Sequence, residues 1–303
     1  MNRFFLSLFL LLASPLYAAD FEPGVLLVKL KPTTGLSSFK ESQERDRLNT
    51  RYGLMSAVPV QVPTSSLYLY TFSPSADMVS LATQYQALDS IDYAQPNYYV
   101  YPDTVTCNLT AYKDILLLPT HSEVLVAVME TPSSRQAVIK KLNPKASLIP
   151  LFLSDHPTQL ELALVFYDAV RLKAKLASCA WNGDVYTHIL KEAIAYAQAK
   201  QVLIISPLHI EGVIHPSDSL GTHPMTGILS RLYSYKSELT SKEVKSLLET
   251  TSSDTPNIRA IYARMEVPQE DITPPPVEDT TPLWLKIIRF PLTLAEGFFS
   301  FFQ

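Results

Sequence analysis

The chain is short of glycine: it has 8, where average usage in a chain this long would give about 21. Catalytic loops that bring backbone close to a substrate, or hold left-handed residues, draw on glycine because it has no Cβ. The scarcity argues against a site built from many tight loops. Cysteine is scarcer still, at 2, which excludes a disulfide scaffold and a cysteine-built metal knot. Cys107 and Cys179 could form one bridge at most, and Leu176–Trp181 reads as a buried strand holding Cys179 as a free thiol. Net charge is −4 with no basic cluster, so nucleic acid is not an expected partner. Uninterrupted apolar runs long enough to span a bilayer are missing as well.

What is abundant is proline, with 23 residues, and a sequence organised in blocks. Residues 1–19 read as a secretory signal. Arg3 is followed by the apolar stretch Phe4–Leu12, interrupted only by Ser7, and Ala18 and Ala19 offer a cleavage point. The expected location is outside the cytoplasm, secreted or periplasmic, and the remaining chain suffices for two cores.

Residues 20–103 alternate strand and helix signals. Val25–Leu30 reads as a strand entered through Pro23-Gly24, and Ser38–Tyr52 as a charged helix ending at Gly53. Met55–Val62 and Leu67–Phe72 follow as strands, then a helix from Ala76 to Leu88. A last strand, Ile91–Tyr101, is interrupted by Pro96, which suits a sheet edge or a bend. The order β-α-β-β-α-β predicts a ferredoxin-like α+β domain.

Residues 104–265 change character. Glu123–Met129 is a continuous apolar strand of the kind buried on both faces of a parallel sheet. Strands at Ser147–Leu153, Lys175–Trp181 and Val202–Ser206 alternate with helices at Gln159–Arg171, Thr187–Ala199, Met225–Tyr235 and Thr240–Thr251. Such alternation predicts a parallel-sheet α/β domain with right-handed crossovers. Residues 266–282, with Pro274-Pro-Pro276 and five acids, read as a stiff linker. Residues 283–303 form an apolar tail broken by Lys286, Arg289, Pro291 and Glu296. That pattern suits short amphipathic segments on a membrane surface, on a partner, or against the protein's own core.

Three motifs in the first domain occur in the order of a known family: Pro23-Gly-Val-Leu-Leu-Val-Lys-Leu-Lys-Pro32, Tyr52-Gly-Leu54 and Tyr93-Ala-Gln-Pro-Asn-Tyr98. Together they resemble the inhibitory propeptide of subtilisin-like serine peptidases. Collinear segments of the second domain resemble that family's catalytic core: Val126–Thr131, Lys145–Leu151, Ala174–Gly183, Ala193–Ile204, Leu239–Leu248 and Arg259–Met265. The resemblance implies a propeptide domain followed by a shortened peptidase domain, with the tail Tyr93–Pro102 lying in the substrate groove.

The resemblance also implies an aspartate, a histidine, an oxyanion asparagine and a serine, and this chain departs from each. Glu130 stands where the aspartate belongs, and its extra methylene moves the carboxylate by about 1 Å, enough to spoil a near-attack geometry. Thr131–Ala146, where the histidine belongs, holds neither histidine nor glycine. Ile210 occupies the oxyanion position and His223 the serine position, in Gly221-Thr-His-Pro-Met-Thr-Gly227; Ser219 is a low-ranking alternative nucleophile. His209, His215, His223 and Asp218 suggest a metal, but their spacing matches no standard ligand pattern. No cofactor is implied. The expected function is therefore binding by a catalytically inactive relative, acting on a protein or peptide such as a subtilisin-like peptidase as inhibitor or chaperone. An active endopeptidase with a rearranged site built on Glu130, His223 and Ser219 is one alternative. A membrane-associated envelope protein is another.

Overall fold

The computed structural model describes residues 20–32, 37–103, 115–130, 136–216 and 221–249, together with Ile261, Arg264 and Met265. The signal-like start, the linker, the apolar tail, Cys107, Asp218 and Ser219 lie outside the described residues.

The first unit runs β1 (Phe21–Leu30), α1 (Ser37–Arg51), β2 (Ser56–Val62), β3 (Ser65–Thr71), α2 (Met78–Gln86) and β4 (Ile91–Tyr98). Its antiparallel sheet has the order β2-β3-β1-β4, the arrangement expected of a ferredoxin-like domain. Strand β1 starts earlier than the pattern suggests, at Phe21, and Gly24 lies inside it where the pairing with β4 shifts register. Gly24 has φ +75°, and a Cβ there would sit 2.6 Å from the carbonyl oxygen of Phe72, so only glycine fits.

Alternation along β1 explains its unbroken apolar run. Leu26 and Val28 pack with Tyr70, Phe72, Met78, Leu81 and Tyr85 beneath the helices. Leu27 points to the other face, where Leu67, Tyr93 and Val100 join the core of the second unit. Both faces of the sheet are thus covered.

The second unit contains β6 (Val124–Glu130), α3 (Gln136–Leu142), β7 (Ala146–Phe152), α4 (Gln159–Arg171), β8 (Leu176–Cys179), α5 (His188–Ala199), β10 (Leu203–Ile205), α6 (Thr222–Tyr235) and α7 (Ser241–Glu249). Two short strands, β5 (Tyr101–Pro102) and β9 (Trp181–Asn182), pair separately. The parallel sheet has the order β10-β8-β6-β7. Ala127 and Met129 of β6 face the core formed with α4 and α5. Val126 and Val128 face the core formed with α3 and α6. This is an α/β fold of subtilisin-like type, with helices on both faces of a parallel sheet.

Proline marks the rims. Strands β2 and β4 border the first sheet and β7 borders the second; they carry Pro59, Pro96 and Pro150 respectively. A proline offers no N–H to a neighbouring strand, so it is tolerated at an edge and discourages further pairing there.

Helix α6 begins at Thr222, earlier than the expected Met225, because Pro224 falls in its first turn, where a missing N–H costs nothing. The helix is buried from Thr222 to Ser234. Arg231 is held inside by three carbonyls: Nε donates to Leu118 at 2.6 Å, Nη1 to Leu142 at 2.7 Å and Nη2 to Leu116 at 2.8 Å. The bond to Leu142 satisfies a carbonyl at the C-terminal end of α3, a helix that the sequence pattern does not reveal.

A Cβ at Gly227 would meet Cβ of Leu142 at 2.8 Å. Gly227→Ala should therefore lower the melting temperature even though alanine favours a helix by about 1 kcal/mol, since forcing the α3–α6 contact apart costs about 1–3 kcal/mol. Calorimetry checks this, and a raised melting temperature would contradict the packing.

Candidate functional site at the end of the parallel sheet

The sequence Tyr93–Asp103 leaves the first unit and crosses the carboxyl end of the second. Tyr99 forms an antiparallel bridge with Thr158, and Val100 N–H donates to the carbonyl of Pro157 at 2.9 Å. Tyr101 then pairs with Asn182 and Pro102 with Trp181, antiparallel, and Asp103 N–H donates to the carbonyl of Ala180 at 2.8 Å. Val100 is buried, whereas Tyr101 and Pro102 are exposed. The tail is held mainly through its backbone, the mode by which an extended peptide adds to an open strand.

Strand β4 holds this tail in place by completing two helices of the other unit. The first N–H groups of a helix have no partner within it. Asn97 Oδ1 accepts from Leu160 N–H at 3.3 Å, near the start of α4. Gln95 Oε1 accepts from His188 N–H at 3.0 Å, at the start of α5, whose own N-cap Thr187 makes no side-chain cap bond. Pro96 lies between the two amides. Asn97 also donates through Nδ2 to Glu22 at 2.9 Å, which fixes the orientation of its amide.

A buried charged group lies alongside. Lys29 is paired with Asp92 at 3.1 Å and contacts Glu192 of α5. Burial opposes its charge, but hydrogen bonds and charges from Glu192 and Asp92 outweigh it and raise the pKa. Tyr93 donates to Glu192 at 3.3 Å, and His188 stacks on the Tyr93 ring at 5.1 Å. Burial, with Glu192 next to it, pushes the Tyr93 phenol well above its ordinary value.

The catalytic positions expected from the resemblance fall at this edge. Glu130 ends β6, its backbone opposite Phe152 of β7; its side chain lies outside the described residues, as does Ser219. The span between β6 and β7 contains the short α3, which carries no histidine. Ile210, in the loop after β10, is buried and contributes an aliphatic side chain to the core. His223 is the second residue of α6, buried in its first turn. Thr226, one turn on, donates to the carbonyl of Thr222 at 2.8 Å and is 2.9 Å from Ser178 Oγ of β8, which pins the helix start to the sheet.

Two further residues shape the site. Trp181 is buried, and its Nε1–H donates to the carbonyl of Met129 at 3.0 Å, tying β9 to the end of β6. Cys179 ends β8 as a buried free thiol, and burial pushes its pKa up to about 12. A thiol in that state supplies no thiolate at neutral pH and is not a nucleophile.

Of the histidines considered for a metal, His209 and His215 come together, stacked at 4.9 Å. Burial and the neighbouring His209 lower the pKa of His215. His223 belongs to a different element, and among the described residues no cluster of three metal-binding side chains occurs. No described helix is long and apolar enough to cross a membrane.

No family model and no curated protein matches the chain. Among solved structures it is similar to fervidolysin from Fervidobacterium pennivorans, a keratinolytic enzyme related to subtilisin, with a TM-score of 0.55 at 12% identity. The match covers 78% of this chain and 58% of that one, so the chain spans little more than half the length of fervidolysin. The epidermin leader peptide processing protease EpiP of Staphylococcus aureus matches at a TM-score of 0.38, 13% identity, over 61% of this chain and 60% of its own; that likeness is too slight to build on. At these identities the likeness speaks for the fold.

Asn97→Ala should reduce stability by about 1–2 kcal/mol in urea unfolding, the range for losing a helix cap; no change would show that β4 does not cap α4. Cys179 should resist alkylation in the native chain and react once unfolded, as read by mass spectrometry of its peptide.

Proposed function

We propose that this protein is a non-hydrolysing relative of subtilisin-like serine peptidases that acts by binding. The observation that carries the reading is the docked tail: Tyr101–Asp103 is hydrogen-bonded along Ala180–Asn182. By the family resemblance this is the pairing a substrate would use, and Ile210 and His223 would stand in place of the oxyanion donor and the nucleophile. Isoleucine donates no hydrogen bond to an oxyanion, and an imidazole at the start of a buried helix does not replace a serine with its general base.

On this reading the first domain stays with the core as a permanent part of the mature protein. It completes α4 and α5 and occupies the groove. Binding is then directed at a protein or peptide, with a subtilisin-like peptidase as the partner that the first domain's fold would suit, as inhibitor or chaperone. A location outside the cytoplasm accords with the signal-like residues 1–19 and is part of the proposal.

A fluorophosphonate serine probe, applied to the purified full chain alongside an active subtilisin, tests the reading. The expected result is labelling of the subtilisin and none of this chain. A covalent adduct on any serine here, Ser219 included, would overturn it in favour of a rearranged active endopeptidase.

A further inference from the structure

Strand β9 ends at the asparagine of an Asn-Gly pair. Asn182-Gly183 is the one place in the sequence where asparagine precedes glycine. The Asn182 side chain folds back along its own backbone, so that Gly183 N–H donates to Asn182 Oδ1 at 2.9 Å. That bond holds the backbone nitrogen close to the amide carbon Cγ. Tyr186 Oη–H donates to the same oxygen at 3.1 Å, and a donor on a carbonyl oxygen stabilises the negative charge that develops there when its carbon is attacked. Asn182 is exposed, so water reaches it. Holding the reacting groups in place lowers the entropic part of the barrier.

We propose that Asn182-Gly183 is a self-modifying site that loosens the docked tail as the protein ages. The nitrogen of Gly183 attacks Cγ of Asn182; the N–Cγ bond forms, the nitrogen gives up its proton, and the Cγ–Nδ2 bond breaks with release of ammonia. Water then adds to one of the two carbonyls of the resulting five-membered imide and opens it, leaving aspartate or isoaspartate at position 182. No oxidant or cofactor takes part, and water is the sole co-reactant.

The location gives the reaction a consequence. Asn182 is the residue paired with Tyr101. Isoaspartate adds a methylene to the main chain of β9, which shifts the register of the two residue pairs that hold the tail. Either product also adds a carboxylate beside Asp20 and Asp184, which already act on Tyr101 through their charge. The chemical step is independent of the functional reading above. If that reading holds as well, the change would gradually free a groove that is otherwise permanently filled.

The test incubates the full chain in mildly alkaline buffer at physiological temperature. Peptide mapping and enzymatic isoaspartate methylation follow position 182, while hydrogen exchange follows the Asp103 amide. Conversion at Asn182 should outpace that at every other asparagine, and Asp103 exchange should rise with the converted fraction. Gly183→Ala should stop the conversion. It should fold normally, since an added Cβ meets nothing closer than 3.5 Å. Tyr186→Phe should slow it several-fold. An Asn182 that stays an amide while other asparagines convert would overturn the proposal, and so would full conversion with unchanged Asp103 exchange.

Discussion

Backbone N–H groups at the start of a helix need acceptors, and this molecule meets that need across a domain boundary. The starts of α4 and α5 donate N–H groups to the side-chain oxygens of Asn97 and Gln95, two residues apart on one strand of the other unit. Each such bond contributes about 1 kcal/mol, and each would leave a donor unsatisfied if the units parted. The rest of the junction is built around this contact. Lys29 finds its carboxylates beside it, Leu27 and Tyr93 pass into the shared core, and the chain beyond Tyr98 is aimed at β9. Position and stability therefore have the same source: what holds the first unit in place also sets its tail into the groove.

Trp181 ties β9 to the end of β6, and Val100 is buried where the tail enters. Two hydroxyls at the sheet's end are engaged: Thr226 with Ser178, and Ser206 with the carbonyl of Trp181. An acyl-transfer site needs donors aimed at an empty position where charge will develop. Ile210, in the loop after β10, is packed into the core of the second unit. Prolines on β2, β4 and β7 limit further strand addition at those edges.

Much of the fold was legible because it follows from local pattern. The run Val25–Leu30 gave away a strand, and the continuous run Glu123–Met129 a strand covered on both sides in a parallel sheet. The edge role of Pro96 could be read from the missing N–H alone. Two features were not legible. Helix α3 is short and depends on Arg231, nearly ninety residues further along the chain, to satisfy its last carbonyl, so no nearby residue announces it. The caps from Gln95 and Asn97 have the same long-range character; the available clue was two amides at alternate positions in one strand. At the site, the sequence pattern located Ile210 beyond the last parallel strand, where the structure has it. It did not reveal Trp181, whose role depends on the register of β9 against β5.

The central claim is that the first unit remains joined to the core because nothing in the chain cuts behind it. Intact mass and size-exclusion analysis of the purified full chain after prolonged incubation test this most directly. The account predicts a single uncut species in which both units elute together. A cut near Asp103, with a separate fragment of the first unit, would contradict it.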